Sequence, residues 1–90
     1  MVRGYRVRFL PEAADEFASL DKPIAERVLK KLKWLAENFE NLSPIPLCGE
    51  LKGLFKLRVG SYRVLYSFDR EKRTIYVHLI GHRQEIYKLP

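Results

Sequence analysis

Tyr5-Arg6-Val7-Arg8-Phe9 alternates apolar and polar residues with a period of two. That spacing predicts a half-buried strand with Tyr5, Val7 and Phe9 inward and Arg6 and Arg8 outward. The period then lengthens. Leu10, Ala13, Phe17 and Leu20 recur at helical spacing, Pro11 suits a first turn, and Glu12, Asp15 and Glu16 sit near its positive end. Asp21-Lys22-Pro23 predicts a stop and a restart. Asp21 serves as N-cap of a longer helix whose stripe is Ile24, Val28, Leu32, Leu35 and Phe39. So tight a junction predicts an antiparallel helical hairpin. Residues 38–49, with Pro44 and Pro46, read as irregular.

Period two returns from Leu51 to Tyr66 and is broken once, by Gly60-Ser61. A two-residue turn there pairs Val59 with Tyr62, Arg58 with Arg63 and Leu57 with Val64. Phe55, Leu57, Val59, Tyr62, Val64 and Tyr66 then share one face, and Lys56, Arg58 and Arg63 share the other. A last strand over 74–80 follows a loop at 70–73. Ile75, Val77 and Leu79 are expected on the core face, and Tyr76, His78 and Ile80 beside the cations. Gly81-His82-Arg83 ends that strand, and the tail to Pro90 is too short for an independent helix. The order β-α-α-β-β-β predicts one two-layer α+β domain over residues 1–90. It is an antiparallel sheet with the helical hairpin on one face and a cationic, open opposite face.

Charge sharpens the picture. The net +6 lies entirely in residues 52–90, which hold nine Lys/Arg and three Asp/Glu; residues 1–51 hold eight of each. That asymmetry points to a polyanionic partner, a nucleic acid or an acidic protein. Hydrophobic residues make up 47% of the chain, too many for a disordered segment. No apolar run approaches a membrane span and the N-terminus has no signal-peptide core, so a cytoplasmic location is expected. Cys48 is the one cysteine, and it reads as a small, partly buried apolar residue.

The residue types narrow the chemistry. Carboxylates are scarce in the basic half (Asp69, Glu71, Glu85), and no His/Cys set has metal-ligand spacing. Ser61 and His82 lack an acid to orient the imidazole, and the glycines form no phosphate cradle. Metal-free phosphate chemistry on RNA remains, because RNA supplies its own 2′-hydroxyl nucleophile. Lys56, Arg58 and Arg63 are candidates to neutralise the phosphorane-like state, with Arg83 joining them from the end of the last strand. His82 is a candidate to move protons, the task to which an imidazole is suited. Tyr87 is a candidate to stack on a base. Arg6 and Arg8 are candidate supporting RNA contacts. Each has a bland counterpart: a solvated strand face for the cations, a core-sealing ring for Tyr87, a structural role for mid-strand His78.

The stretch from Leu51 to Tyr66, together with Gly81-His82-Arg83-Gln84-Glu85-Ile86-Tyr87, resembles the RelE/ParE toxin superfamily, and its RelE branch more than its ParE branch. The resemblance covers nearly the whole chain. It implies a toxin of a type II toxin–antitoxin pair: an mRNA interferase that enters the ribosomal A site and cleaves without metal or other cofactor, leaving a 2′,3′-cyclic phosphate. It assigns Lys56 to a catalytic lysine, Arg63 to a transition-state arginine, Arg83 to a general acid and Tyr87 to a base-stacking tyrosine. The family can carry a second lysine two residues before the first. Leu54 stands there in this chain, which leaves His82 and Lys56 as candidates for the general base. The implied partners are a RelB-like cognate antitoxin, the ribosome and mRNA, with operator DNA bound only by the toxin–antitoxin complex and no membrane. Two other readings remain: a ParE-like toxin that inhibits DNA gyrase without cleaving RNA, and a non-enzymatic nucleic-acid-binding module.

Overall fold

The computed structural model describes residues 4–86. The strands are β1 (Arg6–Phe9), β2 (Ile45–Pro46), β3 (Phe55–Val59), β4 (Tyr62–Asp69) and β5 (Thr74–His82). The helices are α1 (Pro11–Ala18), α2 (Lys22–Asn38) and a single turn, α3 (Arg83–Ile86). The strands form one sheet in the order β1-β5-β4-β3-β2. The expected α+β class stands, with the helical hairpin on one face. Two features enlarge it. β1 joins the antiparallel meander in parallel, from Arg6 opposite Thr74 to Phe9 opposite Val77. The stretch read as irregular contributes β2, which pairs Ile45 with Lys56 and Pro46 with Phe55. Pro46 has no N–H to donate, so it fits an edge strand and no other.

The hairpin turn matches the sequence reading, with Val59 opposite Tyr62 and Arg58 opposite Arg63. Gly60 takes φ +59, a conformation that a β-carbon would strain. Asp21 occupies the N-cap of α2 in extended geometry. Its carboxylate makes no capping bond; its backbone carbonyl accepts from Ala25 N at 2.8 Å. Val28, Leu32 and Leu35 press onto Val64, Tyr66, Ile75 and Val77. Each such side chain, fully buried, contributes about 1.5–3 kcal/mol. Phe39 sits 4.6 Å from the Tyr5 ring and 4.7 Å from Phe68, and is 1% exposed. Burial pushes the Tyr66 phenol up to about 12.

The far half of β5 departs from the expected phase. Leu65 faces Leu79 but Tyr66 faces Val77, so the register slips by one residue at His78, a β-bulge. A one-residue slip exchanges the two faces for everything beyond it. Ile80, expected beside the cations, is in the core at 3% exposure, and Leu79 takes the outer face. Nor is that outer face wholly open. Leu65 alternates outward from Val64 and Tyr66, yet it is fully buried. Its neighbour Leu79 lines a cleft of about 640 Å³ with Leu10, Leu51, Leu54 and His78. Cys48, expected to be partly buried, is exposed. Among the described residues no helix is long and apolar enough to cross a membrane.

Candidate active site

Strand pairing lays the cations in rows across the outer face. Arg58 lies opposite Arg63, and Arg63 opposite Gly81. One row along, Lys56 lies opposite Leu65, and Leu65 opposite Leu79. Directly opposed side chains have β-carbons about 4.5–5.5 Å apart, so two guanidinium groups face one another across β3 and β4 at a cost. Among the described residues no carboxylate lies within ion-pair distance of Lys56, Arg58, Arg63 or Arg83; the salt bridge present, Arg70–Glu40 at 3.0 Å, lies elsewhere.

The cations differ in exposure. Arg58 is exposed and Lys56 half-buried. Arg63, expected on a solvated surface, is 7% exposed. Its Nη1 donates to Gly60 O at 2.9 Å and to Tyr62 O at 2.8 Å. Those bonds turn the guanidinium back toward the hairpin turn and so ease the like-charge opposition with Arg58. They also make Arg63 a clamp on the turn as well as a site cation. Ile86 of α3 sits over the Gly81 position of this row, where a β-carbon would stand 3.5 Å from its side chain.

Arg83 opens α3 and is exposed, and its N–H donates to Ser61 O at 2.8 Å. That bond pins the start of α3 to the β3–β4 turn, so Arg83 and Arg63 are anchored to the same few residues. His82 pairs with Tyr62 at the end of the sheet, with ring centroids 5.5 Å apart. The bulge puts it in phase with Ile80 and the core side, and gives Gly81 the position next to Arg63. His82 Nδ1 accepts from Gln84 N at 3.2 Å, so the neutral ring carries its proton on Nε2.

Arg6 and Arg8 are exposed on β1, but they do not join this group. Arg8 lies level with Tyr76 and Ser67, two strands across and four residues up from Arg63. Strand spacing makes that about 16 Å. Tyr87 lies outside the described residues. His78, the bulge residue, bonds through Nε2 to Ser67 Oγ at 2.8 Å, and burial holds its imidazole below the ordinary value. Leu54 stands in the apolar cleft beside His78 and Leu79.

The sequence reading passed over a second surface. Trp34 (41% exposed) and Ile45 (55%) flank a groove between α2 and β3 that also takes in Lys31, Lys56 and Arg58. Lys31 Nζ sits 4.2 Å over the Trp34 ring. The signal for it was an apolar residue off the α2 stripe, beside a run of lysines.

The chain is similar to known toxins over most of its length. Residues 7–87 match the family model described as the ParE toxin of the type II toxin–antitoxin system parDE. A putative RelE-like toxin protein of Escherichia coli is 32% identical, covering 94% of this chain and 92% of that protein. Toxin RelG of Mycobacterium tuberculosis is 44% identical over 43 residues, 48% of this chain and 49% of that one. Among solved structures, the RelBE2 toxin–antitoxin complex of Mycobacterium tuberculosis superposes with a TM-score of 0.78 at 31% identity, covering 91% of this chain and 94% of that one. The isolated Escherichia coli RelE toxin gives 0.73 at 26% identity, covering 93% and 92%.

Proposed function

The chain belongs to the ParE toxin family of type II toxin–antitoxin systems, within the RelE/ParE superfamily, and from that premise we propose that it is a metal-free, ribosome-dependent endoribonuclease that cleaves mRNA. The observation that carries this reading is the row Arg58–Arg63 with no carboxylate at ion-pair distance among the described residues, closed by Arg83 pinned to Ser61. A positive cluster left uncompensated on a covered sheet face suits a charge that arrives with the substrate.

In the reaction the 2′-oxygen attacks the adjacent phosphorus and the bond to the 5′-oxygen breaks. The products are a 2′,3′-cyclic phosphate and a 5′-hydroxyl. Arg63 and Arg58 stabilise the added negative charge on the non-bridging oxygens. Lys56 or His82 takes the 2′ proton, and Arg83 delivers one to the leaving oxygen. The His82 tautomer favours Lys56 for the first task, because Nδ1 is engaged by Gln84 and Nε2 carries the proton. Tyr87 stacks on the base next to the scissile bond. Purified protein added to translating ribosomes is expected to cut the message and leave cyclic-phosphate ends. Undiminished cutting by an Arg63→Ala, Arg83→Ala double variant would remove those residues from the mechanism.

The protein is proposed to act in the cytoplasm and to be neutralised by a small RelB-like antitoxin, with operator DNA bound by the pair. Arg27, Lys30, Lys31 and Arg58 line a cleft of about 400 Å³ beside Trp34 with no acid among its lining residues, which suits an acidic partner. The ParE description favours one other reading, a non-nucleolytic toxin acting on DNA gyrase. A supercoiling assay with purified gyrase separates the two: inhibition with intact message would replace the ribonuclease reading.

A further inference from the structure

We infer that Glu16, on α1, is a positioning residue that holds the end of β5 so that His82 and Arg83 stand at the cation row. The inference rests on the ribonuclease reading for its functional consequence and on hydrogen bonding for its structural one. β1 pairs with β5 over Thr74–Val77 only, and Leu10 N closes that edge by donating to Val77 O at 3.0 Å. β5 runs five residues further, 78–82, past the end of its partner. A strand edge left this way exposes backbone donors that nothing satisfies. Here α1 crosses in place of a strand, and Glu16 Oε1 accepts from Ile80 N at 2.8 Å, across 64 residues of sequence.

The bond falls at a telling position. Ile80 is two residues past the bulge and two before His82, and its side chain is in the core. On the other side of the strand, Arg83 N is held by Ser61 O. The end of β5 is thus fixed from its β4 side by the turn that also holds Arg63, and from its outer side by one carboxylate. Glu16 lines a small cavity of about 310 Å³ with Gly81, His82, Glu85 and Ile86, the residues that carry the strand into α3. Release of that carboxylate frees the segment bearing His82 and Arg83 without touching either residue. Misplacement of a catalytic group by about 1 Å is enough to cost on the order of a hundredfold in rate.

Amide exchange at Ile80 and message cleavage by translating ribosomes, measured on wild type, Glu16→Ala and Glu16→Gln, test this together. Glutamine keeps an acceptor oxygen; alanine removes it. In Glu16→Ala the Ile80 amide is expected to exchange about tenfold faster or more, the scale of one lost hydrogen bond to a charged group. Cleavage is expected to fall about tenfold or more with ribosome binding unchanged, and Glu16→Gln to restore both to within about threefold. If Glu16→Ala does not fold, Glu16→Asp, one methylene too short, takes its place. Wild-type cleavage in a variant whose Ile80 amide is deprotected would overturn the positioning role. An Ile80 amide in wild type that exchanges like an unbonded edge amide would overturn the bond itself. A wild-type protein that cuts no message defeats the ribonuclease reading alone. The exchange data and the His82 ring resonances then decide the role of Glu16: unmoved resonances in Glu16→Ala overturn it, and resonances restored in Glu16→Gln support it.

Discussion

The two ends of β5 are built differently. Its first half, Thr74–Val77, has a strand on each side, β1 and β4, and inward side chains on α2 and Phe39. Its second half, past the bulge at His78, has β4 on one side and, on the other, a carboxylate on a helix. The first half is held redundantly: remove one contact and the neighbouring ladder bonds remain. The second keeps its β4 ladder, but its outer edge and its exit into α3 rest on single contacts, the Glu16 carboxylate on Ile80 N and the Arg83–Ser61 backbone pair. The candidate active site lies at the second end. A site assembled from single contacts is sensitive to small changes, whereas the packed end tolerates them until the core itself fails.

The largest effect is expected where packing is densest. Phe39→Ala empties the space between Tyr5, Tyr66 and Phe68 and is expected to cost about 3–5 kcal/mol in a urea melt. A loss under 1 kcal/mol would show that this end is less redundant in name than in fact. At the site end, Arg63→Ala should cost about 1–3 kcal/mol, because the Gly60 and Tyr62 carbonyls lose their donor. It should also lower cleavage by about 10²–10³. Arg58→Ala, an exposed residue, should lower cleavage while leaving the melting curve within about 0.5 kcal/mol. Equal stability losses in the two arginine variants would erase the distinction between clamp and free cation.

A pH titration probes the boundary between the halves. Burial lowers the His78 imidazole from its ordinary 6.5, so folding favours the neutral ring. The stability this contributes is full above 6.5 and is lost as the pH falls through the folded value. His78→Gln removes that dependence, and a wild-type stability that stays flat on acidification below 6.5 would place the ring in a wetter setting. The smallest effect is expected at Gly81. A β-carbon there meets Ile86 at 3.5 Å, ordinary contact, so Gly81→Ala should change stability by less than about 0.5 kcal/mol. A large loss would mean that Ile86 sits closer to Gly81 than these distances give.

Much of this was legible in the chain itself. The alternation from Phe55 to Tyr66 with Gly60-Ser61 between fixed the hairpin and its register, because a turn residue that needs positive φ admits few alternatives. Helical spacing identified Val28, Leu32 and Leu35 as core, since an apolar stripe must face something apolar. The cation row of Arg58 and Arg63 follows from that register alone. Other parts were not legible. A bulge leaves no period in the sequence, so the exchange of Leu79 and Ile80 could not be read from 74–80. Nor could the burial of Arg63, whose guanidinium turns back onto the Gly60 and Tyr62 carbonyls. Glu16 looked like one more acid near a helix start; only the crossing of α1 at the end of β1 gives it a strand edge to satisfy.

The local pattern therefore determined β1, the two long helices, the β3–β4 hairpin and which side of that hairpin carries charge, because periodicity and turn geometry are properties of neighbours in the chain; β2 and α3 carry too few residues to show a period. Tertiary structure decided the phase of β5 beyond His78, the burial of Arg63 and the bond from Glu16 to Ile80. These depend on where separate elements stop and cross, and on backbone groups that must find a partner wherever the fold has left one.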